Sequence, residues 1–139
     1  MPPVSRSQCR EWALQVLYQA EFSGRSGEDE VRRFWGYFRP GSAVPAYLED
    51  LVTGCHAHRQ ELDTLIARYS EHWRLERMAA VDRNLLRLGV YELLHHPDIP
   101  PKVVINEAVE LAKRFGTEES GAFINGLLDR IREALGREA

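Results

Sequence analysis

Apolar residues recur along the chain at helical spacing, and no stretch alternates with the period of two that a half-buried strand requires. In SRSQCREWALQVLYQAEF, Cys9, Ala13, Val16, Leu17 and Ala20 fall on one face, and Ser5 with Gln8 has the spacing of a capping box. GRSG ends that helix. EDEVRRFWGYF opens with three carboxylates, which favour a helix amino end, and sets Val31, Phe34, Trp35 and Phe38 on one side. After a Pro- and Gly-rich loop, a long helix is expected from Pro45 through Leu48, Leu51, Val52, Cys55, Leu62, Leu65, Ile66 and Tyr69. Gly54 inside it points to close packing of another helix.

MAAVDRNLLRLGVYELLHH is apolar over a wider arc, which predicts a central helix touched from several sides; Pro97, Pro100 and Pro101 stop it. The next helix buries Val104, Ala108, Leu111, Ala112 and Phe115, carries Lys113 and Arg114 in its last turn, and ends at Gly116. Thr117 is positioned to cap the last helix, with Ile124, Leu127, Leu128, Ile131 and Leu135 as its core face. These elements predict an all-α fold, a compact single-domain bundle of six or seven helices over residues 1–139.

Composition narrows the functional classes. No stretch approaches the roughly 18 to 20 apolar residues of a membrane span, and MPPVSRSQCR lacks the apolar centre of a secretion signal, so a cytoplasmic protein is expected. Cys9 and Cys55, far apart and without a CxxC partner, read as small core residues. A net charge of −3 argues against an indiscriminate polyphosphate binder. Residues 1–27 nevertheless carry three Arg against two Glu, and 101–116 carry three cations against two Glu, so local basic patches exist.

Signatures of catalysis are missing: there is no GxSxG, P-loop, GxGxxG or HExxH. His56 and His58, two apart, do not share a helical face, and with the adjacent His95 and His96 they read as surface histidines rather than metal ligands. Neither an enzyme nor a bound cofactor is expected. Binding features are stronger. Leu14, Tyr18 and Phe22 form a line off the core face of the first helix, extended by Arg10 toward Arg6. Aromatics flanked by arginines can stack bases while the cations hold phosphates; packing on a neighbouring helix is the alternative. Phe123 lies at the rim of the last helix's apolar stripe with Asn125 farther round, and Asn106 and Lys113 lie on the polar side of the preceding helix. Taken singly, each of these also suits a surface or capping role.

REWALQVLYQ, VDRNLLRLGVYEL, IPPKVVINEAVELAKRFG and SGAFINGLLD occur in an order and spacing that resembles the NusB family of bacterial transcription antitermination factors. The resemblance spans nearly the whole chain. A related helical domain is attached to some RNA methyltransferases, but 139 residues leave no room for a catalytic domain, so the stand-alone factor is expected. The resemblance implies a non-enzymatic RNA-binding protein that joins NusE, a small-subunit ribosomal protein, to recognise single-stranded boxA RNA in nascent transcripts. With other Nus factors it would let RNA polymerase pass terminators, notably in ribosomal RNA operons. The family's RNA surface maps here onto Arg6, Arg10, Tyr18, Lys113, Phe123 and Asn125, and its NusE surface onto Tyr69, Glu76 and Asp82. Glu107, near a helix amino end, is expected to serve the dipole or packing.

Two departures bear on affinity. The family's amino-terminal arginine run is reduced to two arginines in PPVSRSQCR, and GAF stands where a polar residue often precedes the rim Phe. Fewer cations release fewer counterions, so the NusE complex, rather than the free protein, is expected to be the tight reader. A protein-interaction module without RNA contact and an enzyme with a diffuse acidic site are the rival classes. The apolar strip Leu14, Tyr18 and Phe22 would also suit a homodimer.

Overall fold

The computed structural model describes residues 4–71 and 74–138, which form seven α-helices and one short 3-10 turn with no strand among the described residues. The chain divides into two compact units, Met1–Ala57 and His58–Ala139.

The first unit packs α1 (Arg6–Ser23), α2 (Gly27–Phe38) and α3 (Ala46–Ala57) on one another. The Ser5 and Ser26 hydroxyls each accept a backbone N–H at 3.1 Å, from Gln8 and Asp29, and so start α1 and α2. Gly24, at φ 73, ends α1 in the left-handed region that glycine enters without strain. Cys9, Trp12, Val16, Val31, Trp35, Leu48, Leu51 and Cys55 are buried, and Trp12 meets Trp35 edge-on at 5.3 Å. Phe38, expected on the buried side, is 47% exposed; it ends α2 and covers the margin of the Trp pair, 5.3 Å from Trp12. A β-carbon on Gly27 would stand 3.1 Å from that of His56 and 3.2 Å from Val52, so its absence lets α2 approach α3.

The second unit contains α4 (Arg59–Tyr69), the 3-10 turn Leu75–Arg77, α5 (Ala80–His95), α6 (Pro101–Phe115) and α7 (Ser120–Ala134). Helix α5 is buried from Asn84 to Leu93 and packs against α4, α6 and α7, as the breadth of its apolar arc predicts. The polar side chains of Asn84, Arg87 and Glu92 enter with it. Arg87 donates to both carboxylate oxygens of Asp63, at 2.7 and 3.1 Å, and to Asn84 Oδ1 at 3.2 Å, so its buried charge is paired. At Gly89 a β-carbon would lie 2.8 Å from Leu128 Cδ1, which makes this glycine the point of close approach between α5 and α7. Arg137 ties the chain end to the turn after α5, donating to the carbonyls of Leu93, Pro97 and Ile99.

Beyond Phe38, four local expectations change. The helix expected from Pro45 to Tyr69 is two, because His58 leaves helical geometry at φ −104, ψ 15. Cys55 and Leu62 are seven residues apart, so the apolar period stays in phase across the break and conceals it. Phe115 is 46% exposed rather than buried; it is the last residue of α6, and the Arg114 guanidinium lies 4.8 Å over its ring. Leu135 is half-buried beyond the end of α7. Thr117 does not cap α7 with its side chain: the bond runs the other way, with the buried Ser120 hydroxyl accepting the Thr117 N–H at 2.9 Å. Gly116 serves that reversal, since a β-carbon there would lie 2.7 Å from the Ser120 β-carbon and 2.8 Å from the Ala112 carbonyl oxygen.

Candidate nucleic-acid interface

In the first unit, the open side of α1 carries Tyr18 and Phe22, 40% and 69% exposed, with ring centres 5.1 Å apart. The i, i+4 spacing on one helix produces this tilted pair, whose planes meet at 55° and leave two exposed ring faces. Leu14, which the helical wheel places in the same line, is buried and belongs to the core. At the start of α1, Arg6 is exposed and its guanidinium lies 4.8 Å over the Tyr47 ring. Arg10 is only 5% exposed and lies 5.9 Å from the same ring, so the structure makes it an interior support rather than an open cation. The wheel of α1 misplaces Leu14 and Arg10 because α2 and α3 both pack on α1, and Tyr47 of α3 meets Arg10.

In the second unit, α6 and the start of α7 enclose an open cleft of about 350 Å³ lined by Val109, Lys113, Thr117, Gly121 and Asn125. Lys113 and Asn125, predicted site residues on different helices, are thus brought together. Lys113 also approaches Glu110 at 3.6 Å, but both are well exposed, and such a pair exchanges readily for other partners. Phe123 does not share this cleft. It is half-buried in a neighbouring one, of about 250 Å³, with Arg77, Met78, Asp82, Thr117 and Ser120.

Asp82 therefore stands beside Phe123, a predicted partner residue next to a predicted RNA residue. Its Oδ1 is buried without a hydrogen-bond partner, an arrangement that costs stability in the free protein. Arg83 donates to the carbonyls of Leu75 and Met78, at 2.9 and 2.7 Å, and so pins the turn that presents the exposed Glu76. Tyr69, at the end of α4, is half-buried. Glu107 is half-buried and engaged with neighbours, whereas Asn106 is exposed.

Two groupings escape sequence reasoning. Tyr47 joins Arg6 only through the packing of α3 on α1. His58, Glu61 and His95 converge across α4 and α5, with ligating atoms within 4.8 Å of one another. Spacing along the chain offers no signal for either.

A model of the NusB family matches residues 7–133. The chain belongs to the NusB family. It is 50% identical over 133 residues to the transcription antitermination protein NusB of Myxococcus xanthus, covering 92% of this chain and 94% of that protein. The structure of T. maritima NusB superposes with a TM-score of 0.87 at 38% identity, over 95% of this chain and 93% of that one. A NusB solved with NusE and double-stranded RNA matches at a TM-score of 0.82 and 30% identity, over 93% and 96% of the two chains. NusB proteins are transcription antitermination factors, not a known family of enzymes, and no described helix of this chain is long and apolar enough to cross a membrane.

Proposed function

We propose that this protein, together with NusE, binds single-stranded boxA RNA of nascent transcripts, notably ribosomal RNA, and helps RNA polymerase pass terminators with other Nus factors. The observation that carries the reading is the cleft in which Lys113 and Asn125, from separate helices, face one open space. An ammonium suits a phosphate, and a side-chain amide beside it suits a base edge. Tyr18 and Phe22 supply a stacking platform and Arg6 an exposed cation on α1, while Arg10 supports Tyr47 beneath Arg6. Phe123 contributes a ring at the edge of the neighbouring cleft. The solved NusB with NusE and RNA supports both partners.

Asp82, Glu76 and Tyr69 form the proposed NusE surface. The unpartnered Asp82 Oδ1 favours it, because a donor from a partner would satisfy an acceptor that the free chain leaves alone. RNA binding by the free protein is then weak and binding by the complex tight. Fluorescence anisotropy of boxA RNA and a scrambled control, titrated with and without NusE at two salt concentrations, tests this. Selective binding strengthened by NusE is expected. Equal binding of both RNAs with NusE present would overturn boxA recognition, and binding of neither would leave a protein-interaction module.

A further inference from the structure

We propose that His58, Glu61 and His95 form a binding site for a divalent transition-metal ion of the zinc class, which would tie the start of α4 to the end of α5. The site arises from the helix break at His58. This residue precedes α4 and its side chain makes no capping hydrogen bond, so the imidazole is not spent on the helix end. Glu61 follows in the first turn of α4, and His95 is the last residue of α5. Glu61 Oε1 lies 3.8 Å from His58 Nδ1 and 3.3 Å from His95 Nε2.

The 3.3 Å contact is a weak hydrogen bond, and the 3.8 Å one is too long for any. The shorter one equals the spacing of neighbouring ligands on a tetrahedral ion, about 3.3 Å for metal–ligand bonds of about 2.0–2.1 Å, and all three ligating atoms lie within 4.8 Å of one another, so small side-chain rotations would close them on an ion. The imidazoles are already gathered: their ring centres are 4.2 Å apart, and the buried Tyr91 packs 5.0 Å from His95 and 6.2 Å from His58, forming one wall. Two imidazoles and one carboxylate select zinc, cobalt, nickel or copper over magnesium or calcium, which prefer sets of oxygens. The carboxyl end of α5 favours a cation beside His95, and Glu61 offsets the opposing dipole at the start of α4. Side-chain exposures of 43%, 54% and 33% leave the remaining coordination position to water.

The test is calorimetric titration of chelator-treated protein with zinc chloride at neutral pH, repeated with cobalt to read the absorption of the coordinated ion. Wild type should show one saturable site. His58→Gln and His95→Gln should each weaken it at least roughly tenfold, because each removes one of three ligands. Zinc should also raise the melting temperature of wild type but not of the His58→Gln/His95→Gln variant. His96→Gln, which leaves all three ligands in place, should bind as wild type. Absence of a saturable site in wild type, or equal binding by the double variant, would overturn the proposal. Since the double variant keeps His56, His96, Cys9 and Cys55, it also separates this site from adventitious ligands. Far-UV circular dichroism establishes that each variant is folded.

Discussion

Arg6 sets its guanidinium 4.8 Å over the ring of Tyr47, which places an exposed cation on an aromatic support at the start of α1. An exposed cation–π contact contributes only about 0.5–1 kcal/mol, so exchanging it for a ligand would cost the fold little. Arg6→Ala should weaken boxA RNA and scrambled RNA alike and lower the salt slope of binding by about one, with the melting temperature nearly unchanged. Arg10→Ala should do the reverse: its buried charge-bearing group holds the interior, and losing its contacts should cost about 1–3 kcal/mol of stability. Paired salt titrations and melting curves distinguish the two arginines.

Leu14, Tyr18 and Phe22 lie at four-residue intervals on α1, yet only the last two reach solvent. Phe22→Ala should lower RNA affinity by about 1–3 kcal/mol if a base stacks on it, and leave stability intact. Leu14→Ala should instead cost about 2–5 kcal/mol of stability through the cavity it opens. Denaturant unfolding beside RNA anisotropy provides the comparison; a stability loss in Phe22→Ala equal to that in Leu14→Ala would move the platform into the core.

Lys113 and Asn125 share a cleft but should not share a role. Lys113→Ala removes a phosphate contact and should reduce affinity for boxA and scrambled RNA in the same proportion. Asn125→Ala removes a base-edge contact and should narrow the ratio between them, by about tenfold if the amide bonds a base directly. A uniform loss from both substitutions would assign Asn125 to the backbone.

Asp82 is where stability and binding should separate. With its Oδ1 buried and unpartnered, Asp82→Ala should leave the melting temperature no lower than wild type, because the penalty it relieves offsets the contacts it loses. The same substitution should weaken NusE binding, and Asp82→Lys more so, as read by titration calorimetry. Unchanged NusE affinity in Asp82→Lys would remove this residue from the interface.

Cys9 gives the fold an alkaline weakness. Burial pushes its thiol pKa up, against smaller opposing effects from a Leu48 backbone hydrogen bond and the Arg10 charge. The unfolded thiol then loses its proton at lower pH than the folded one. Its contribution to stability is full below the unfolded pKa and declines as pH rises toward and through the folded value. Melting temperatures should fall more steeply above neutral pH for wild type than for Cys9→Ala. In a Cys55→Ala background, a thiol reagent should modify Cys9 only as the protein unfolds.

Much of this arrangement is legible in the sequence because helix faces and helix ends are local properties. The Ser5 cap, the stop at Gly24, the wide arc of α5 and the proline stop after it each follow from a few neighbouring residues. What escapes is set by residues distant in the chain. The break at His58 hides behind an apolar period that stays in phase, and the burial of Arg10 and Leu14 depends on the helices that pack on α1. The separation of Phe123 from Asn125 follows from which neighbour each side of α7 faces. The reversed bond between Thr117 and Ser120 depends on Gly116 admitting the Ser120 side chain.

The central claim is that the α6–α7 cleft and the open side of α1 touch RNA. Photo-crosslinking of boxA RNA carrying 4-thiouridine to the protein–NusE complex, with the modified peptides read by mass spectrometry, tests it most directly. Crosslinks in peptides containing Lys113 and Asn125, and in the peptide containing Tyr18 and Phe22, are the predicted result. Crosslinks confined to NusE would contradict it.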